Sequence, residues 1–251
     1  MNAQGKRSGE TAREYAYRMI REQVISLELK PGEAFNDMEF AAKIGVSRTP
    51  VREAVIQLSE ESRIIEIFPQ RGMRIAPIDV ELVEEARSLR VLLEKQIAGM
   101  CCEMATEEDI KWLQENVGLQ EFYMENSRPE MVMQLDDEMH HKLFMICHRE
   151  LTYGMCQKLA IHYDRIRSLS VNTVKDNTII EDHRKIIQFI AEHKKENAMV
   201  QMEKHLSRWQ LNEENSVRNS GLFQINKRAP DIRGVNFLQI FQFLQSLFSD
   251  H

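Results

Sequence analysis

The sequence predicts a mainly α-helical chain in two parts. Three features carry that prediction: two closely linked short helices followed by a turn-centred β-hairpin within residues 36–76, a glycine-poor stretch over residues 80–219 with almost no strand alternation, and helix-start chemistry along that stretch. Residues 1–78 form the first part, residues 79–219 an all-α bundle of six or seven helices, and residues 220–251 a C-terminal extension. At 251 residues the chain exceeds the usual size of one domain, in keeping with that division.

In the first part, the Asn36 side-chain oxygen is placed to cap a helix, with Glu39 reaching back three residues later as in a capping box. Met38, Phe40, Ala41, Ala42 and Ile44 make that helix short and apolar, and Gly45 supplies the left-handed residue that stops it. Ser47 or Thr49 caps the next helix, and either choice leaves Pro50 in the first turn, where its missing N–H costs nothing. Val51, Ala54, Val55 and Leu58 fall at i, i+3, i+4 and i+7 and turn one face inward, whereas Arg48 and Arg52 share a solvated face. Residues 64–68 and 73–76 are β-prone with turn chemistry between them, so a hairpin wing carries Arg71 and Gly72 at its tip. A helix that buries one face and offers two arginines near its start suits the major groove, where guanidinium donates two hydrogen bonds to guanine or clamps a phosphate.

Cap, stop, arginine pair and wing in this order resemble the winged helix-turn-helix of the GntR family of bacterial regulators. The resemblance implies a double-stranded DNA operator as partner. Ser47, Arg48, Thr49 and Arg52 are then the contacts of a recognition helix over about residues 47–61, with Arg71 and Gly72 acting at the neighbouring minor groove or its phosphates. A homodimer would double that basic face. The chain departs from the family where a glycine commonly ends the recognition segment, since Ser62 and Arg63 stand there.

Net charge alone would not suggest nucleic acid. Residues 1–78 carry 12 Lys and Arg against 11 Asp and Glu, a net +1, which leaves −7 of the overall −6 to the remainder. Charge therefore has to act through placement on one face. No apolar run reaches membrane-spanning length and residues 1–9 are polar without a signal-peptide core, so a cytoplasmic protein with no membrane partner is expected. Cys101, Cys102, Cys147 and Cys156 show no CxxC spacing and read as reduced, buried thiols.

In the second part, helices are expected over residues 80–102, 106–126, 129–148, 152–170, 178–194 and 196–217. Leu82, Ala86, Leu89, Leu93, Ile97 and Met100 mark the inward stripe of the first, and Met131, Met133, Met139 and Met145 read as core filling. Asp136 and His140, four apart, share one helix face. His183 and His205 are 22 residues apart about a turn near residue 194; an antiparallel hairpin sets each about 16 Å from that turn and hence side by side. Three imidazoles and a carboxylate suit zinc first, with nickel, manganese or iron as alternatives, and leave coordination positions open.

That spacing resembles the helical ligand-binding domain of the FadR subgroup of GntR regulators, the FCD type. The resemblance implies that Asp136, His140, His183 and His205 bind a divalent metal and that the effector is a small organic acid. The remaining histidines, His141, His148, His162, His193 and His251, read as surface or satisfied core residues. Two roles are open to Arg90: a bidentate contact to an effector carboxylate, or an ordinary i,i+4 ion pair with Glu94. A second departure from the family is His148 and Arg149 at the end of the third bundle helix, where Gly-Asn is common.

The expected protein is thus a dimeric, metal-containing, effector-responsive transcription regulator and not an enzyme. A metal-dependent hydrolase or isomerase using the same four residues, and a regulator with a purely structural metal, are the alternatives. Phe237, Leu238, Ile240, Phe241, Leu244, Leu247 and Phe248 of the extension form an apolar helical stripe, too short to span a bilayer, that packs on the bundle or on a second subunit.

Overall fold

The protein is described by a computed structural model over residues 5–173, 178–207 and 223–224. It opens with α1 (Ala12–Ile25), started by a capping box in which Thr11 Oγ1 accepts from the Glu14 backbone and the Glu14 carboxylate accepts from the Thr11 backbone. Then follow β1 (Ala34–Phe35), α2 (Asp37–Ile44), α3 (Arg48–Ser62), β2 (Ile65–Phe68) and β3 (Gly72–Ile75). Asn36 caps α2 by accepting from the backbones of Met38 and Glu39, but Glu39 reaches back to the Asn36 side-chain amide and not to its backbone. Gly45 is left-handed at φ 74°, as the stop requires. α3 starts after Ser47, whose side chain makes no capping bond.

The wing is a three-stranded antiparallel sheet in the order β1-β3-β2, with Met73 between Phe35 and Ile67. Neither α1 nor the two-residue β1 was among the predicted elements; β1 is too short for any periodicity to register. Ala16, Ile20, Val51, Ala54, Val55, Leu58 and Ile64 bury together as the core of this unit.

The bundle comprises α4 (Val80–Met104), α5 (Glu107–Glu125), α6 (Pro129–Ile146), α7 (Glu150–Leu159), α8 (Ile161–Thr173), α9 (Thr178–Ala191) and α10 (Lys195–Ser207). Its core joins Ile97, Ala98, Leu113, Val117, Met139, Leu143, Ile186, Ile190 and Met202. α10 lies close along α4 because Gly99 leaves room; a Cβ there would meet the Met199 sulfur at 2.9 Å. The last expected helix ran to residue 217, and its end lies outside the described residues.

Three expectations need correction. The single helix predicted over residues 152–170 is two, α7 and α8, broken at Ala160. No glycine or proline marks the break; tertiary packing makes it, because residues 161–166 of α8 are all buried whereas α7 keeps one face exposed. The inward face of α4 is rotated from the predicted stripe, so that Arg90 and Glu94 are buried while Leu89, Leu93 and Met100 are half-buried. Hydrophobic periodicity cannot register a charged pair that is inside because its members satisfy each other. Of the four methionines read as core filling, Met139 is buried and Met145 is exposed.

α8 also joins the two parts. Ile161 packs into the N-terminal core. His162 Nδ1 accepts from the Asp79 backbone at 3.1 Å, and its Nε2 faces the Ser62 carbonyl at the end of α3 at 3.2 Å. Arg165 donates to the carbonyls of Ala76 and Pro77, which lead out of the wing. Next to them, β4 (Ile78–Asp79) pairs in parallel with β5 (Phe223–Gln224), so the extension returns to this junction. Its apolar stripe at residues 237–248 lies outside the described residues.

Candidate functional site

Two sets of side chains stand out. On the N-terminal unit, Ser47, Arg48, Thr49 and Arg52 are exposed along the start of α3, and Arg71 and Gly72 are exposed at the tip of the wing. Val51, Ala54, Val55 and Leu58 occupy the opposite, buried face of α3, so the helix divides as its spacing predicts. Arg48 is not wholly free: its Nε donates to Asp37 Oδ1 at 3.0 Å, and its side chain is still 54% exposed. Asp37 opens α2, so this ion pair fixes the guanidinium relative to the helix before it. The tip reverses through left-handed Gln70 and Gly72, at φ 60° and 100°.

In the second set, Asp136, His140 and His183 are buried and His205 is half-buried. Asp136 and His140 on α6, His183 on α9 and His205 on α10 each offer one ligand atom, and these atoms lie within 4.8 Å of one another. His183 Nε2 is 3.3 Å from His205 Nε2 and 3.3 Å from Asp136 Oδ1. Donors about 2.1 Å from a shared ion stand about 3.0–3.4 Å apart along an edge of its coordination shell, so these separations suit one cation.

Each imidazole is turned by a group behind it. His183 Nδ1 donates to Gln120 Oε1 at 2.9 Å, and the Gln120 amide in turn donates to Asn116 Oδ1 at 2.8 Å. His140 Nδ1 is 2.5 Å from Glu94 Oε2, and Glu94 Oε1 accepts from Arg90 Nε at 2.6 Å. His205 Nδ1 faces Asp182 Oδ2 at 4.0 Å, while Asp182 Oδ1 accepts from Gln201 at 2.7 Å. The Gln120 acceptor puts the His183 proton on Nδ1 and leaves its Nε2 lone pair for a metal.

Protonation sharpens the point. Burial pushes the His183 imidazole down to about 4, with Asp136 opposing. Burial, with His183 and His140 beside it, drives His205 well below its ordinary range. Both rings are therefore neutral near pH 7. If His205 carries its proton on Nδ1, two bare lone pairs face each other 3.3 Å apart; if on Nε2, a bare Nδ1 faces the Asp182 carboxylate. Neither tautomer satisfies the cluster, and His140 Nδ1, His140 Nε2 and His205 Nδ1 make no hydrogen bond. A divalent cation at the centre would take up the facing Nε2 lone pairs of His183 and His205 together with His140 Nε2. Burial alone would raise the Asp136 carboxyl, but Arg167 and the three histidines outweigh it and hold the group well below the usual carboxylate range.

Of the two roles open to Arg90, the ion pair is formed: the guanidinium is buried against Glu94 and lies 5.4 Å over the Tyr163 ring. Sequence reasoning missed Arg167 of α8, which clasps Asp136, Asp137 and Asp164 together. It also missed Gln120 and Asp182; no spacing signal marked any of the three. The other histidines are accounted for elsewhere. His141 stacks on Tyr153 at 4.4 Å, His193 Nδ1 faces the Cys102 carbonyl at 2.7 Å, His148 is exposed, and His251 lies outside the described residues.

Residues 12–75 match the family described as bacterial regulatory proteins, gntR family, and residues 85–208 match the FCD domain. The HTH-type transcriptional repressor RspR of Escherichia coli (strain K12) is 30% identical over 158 residues, covering 63% of this chain and 69% of that one. The chain belongs to the GntR family of transcriptional regulators, with an FCD domain. The Nta operon transcriptional regulator of Aminobacter aminovorans is 31% identical over 126 residues, 50% of this regulator and 59% of that protein. Among solved structures, E. coli McbR/YncC superposes with a TM-score of 0.65 at 18% identity, covering 78% of this GntR regulator and 93% of that chain, a likeness of fold. Among the described residues of the regulator, no helix is long and apolar enough to cross a membrane.

Proposed function

We propose that this GntR regulator is a homodimer whose operator affinity is set by a small organic acid acting at a metal centre in the FCD domain. Ser47, Arg48, Thr49, Arg52, Arg71 and Gly72 contact the operator. Asp136, His140, His183 and His205 hold the ion, zinc first, with nickel, manganese or iron able to replace it according to supply. The observation that carries the reading is the pair of neutral imidazoles facing each other across 3.3 Å, with His183 held on its far nitrogen by Gln120. Bound there, the cation supplies Lewis-acid positions at which an organic acid can coordinate. Arg90 serves the centre through Glu94 and His140, and Arg167, already on Asp136, is the cation available to an incoming carboxylate.

The two parts, residues 1–78 and 79–219, act as separable domains joined through α8. Arg167 of that helix grips Asp136, and His162, five residues earlier, grips the end of the recognition helix at Ser62. An acid that competes for Arg167 or shifts Asp136 therefore moves α8 against the DNA-reading unit. Coupling of about 1–3 kcal/mol is the usual scale. The burial of Asp136, His140 and His183 also favours a second reading, in which the ion is structural and the signal binds elsewhere.

Metal analysis combined with a thermal-shift screen of organic acids, with and without chelator, tests both. Metal-dependent stabilisation by an acid that also changes operator affinity supports the sensor. Stabilisation by metal alone, with every acid inert, supports the structural ion.

A further inference from the structure

α7 carries an apolar ridge that nothing among the described residues covers. Leu151, Met155 and Leu159, four residues apart, are 88%, 70% and 47% exposed. Single exposed apolar side chains are ordinary, but three aligned on one short helix make a patch. A second exposed ridge runs beside it: Glu150, Gly154 and Lys158. Space over Gly154 is open, since a Cβ there would meet no atom within 4 Å. Both charges have only loose partners, Glu150 with His141 at 3.9 Å and Lys158 with Glu61 at 3.7 Å, all but Glu61 well exposed.

We propose that this face is the centre of the interface between two copies of the chain, packed antiparallel about a two-fold axis close to Gly154 and Met155. The inference rests on the homodimer reading above and assigns its surface. A two-fold axis there turns the helix onto itself. Leu151 comes level with the partner's Leu159, Met155 meets the partner's Met155, and Glu150 comes level with the partner's Lys158 at each end. The face is self-complementary in shape and in charge, which an isologous interface requires. Gly154 permits close approach of the two helices.

Position supports the same occupant. α7 packs on α3, so the seam would fix the separation of the two recognition helices, and dimeric readers of paired half-sites depend on that separation. A second exposed apolar run among the described residues, Trp112, Leu119 and Phe122 of α5, lacks the symmetry. A two-fold axis through Gly118 would set Glu115 against the partner's Glu121, a like-charge pair.

Sedimentation of the full-length protein tests the seam. Wild type is expected to be a dimer. Met155→Glu brings two carboxylates together at the axis and should weaken association by about 100-fold or more. Glu150→Lys should weaken it as well, and adding Lys158→Glu should restore it. Met155→Cys should give a covalent dimer on mild oxidation where wild type gives none, a readout that does not depend on a disruptive substitution folding. A wild-type dimer that survives Met155→Glu, with no cross-link from Met155→Cys, overturns the seam and leaves the dimer standing. A wild-type monomer overturns both. Met155→Cys that resists alkylation in a monomer and becomes reactive when residues 225–251 are deleted would identify the chain's own tail as the cover and overturn the proposal.

Discussion

Gln120→Leu probes the metal centre without touching a ligand. Gln120 is fully buried, and its carbonyl accepts the Nδ1 proton of His183 at 2.9 Å while its amide donates to Asn116. Leucine keeps most of the volume and removes both bonds. Two consequences differ in kind. The first is folding: an unpaired imidazole N–H in a dry interior costs about 1–3 kcal/mol, with a further loss at Asn116. The second is affinity: a ring no longer held in tautomer and orientation binds metal about 10–100-fold more weakly, or about 1.4–2.7 kcal/mol. Urea melts of the metal-free protein read the first, and competition with a chromogenic zinc chelator reads the second. Gln120→Glu keeps an acceptor and should recover most of the affinity. A Gln120→Leu protein that is less stable yet binds zinc within about twofold of wild type would refute the claim that Gln120 holds His183 for a cation.

Three further outcomes are expected. Arg52→Ala should lower operator affinity by about 1–3 kcal/mol in fluorescence anisotropy and leave metal content unchanged, whereas His183→Ala should lose metal and keep a DNA-binding head. Arg63 is left-handed at φ 54° where a glycine would be unstrained, so Arg63→Gly should raise the melting temperature; about 1 kcal/mol is at stake, or about 2–4 °C. Burial, with Arg165 nearby, lowers the His162 imidazole from 6.5 to about 4. The unfolded chain then takes up the proton first, so the stabilisation is complete above pH 6.5 and is lost as pH falls towards 4, about 3 kcal/mol at most. Melts of wild type and His162→Gln from pH 4 to 7 should converge at the acid end, and parallel profiles would show that His162 does not titrate there.

The DNA-reading unit was legible because its signals are local. Asn36, Gly45 and Pro50 punctuate helices by backbone chemistry, and Val51, Ala54, Val55 and Leu58 mark the buried face by spacing. The four candidate ligands were legible for a related reason: an i,i+4 pair and two residues symmetric about a turn are geometry that a helix hairpin enforces. What surrounds them was not. Gln120, Asp182 and Arg167 sit behind the centre through contacts made 23 to 63 residues away, where no periodicity records them. The break at Ala160 escaped for the opposite reason, since every local propensity there favours one continuous helix. Arg63 and His148 take left-handed conformations that a glycine would adopt without strain, and nothing in their residue type announces it.

The central claim is that one cation draws Asp136, His140, His183 and His205 together in a bundle that governs DNA binding. The most direct measurement is divalent-metal content of the full-length protein by elemental analysis, after chelation and reconstitution, for wild type and for His183→Ala and Asp136→Ala. The account predicts about one ion per wild-type chain and far less in each variant, with all three still folded. A wild-type protein that returns from reconstitution without metal, or variants that retain it in full, would contradict the account.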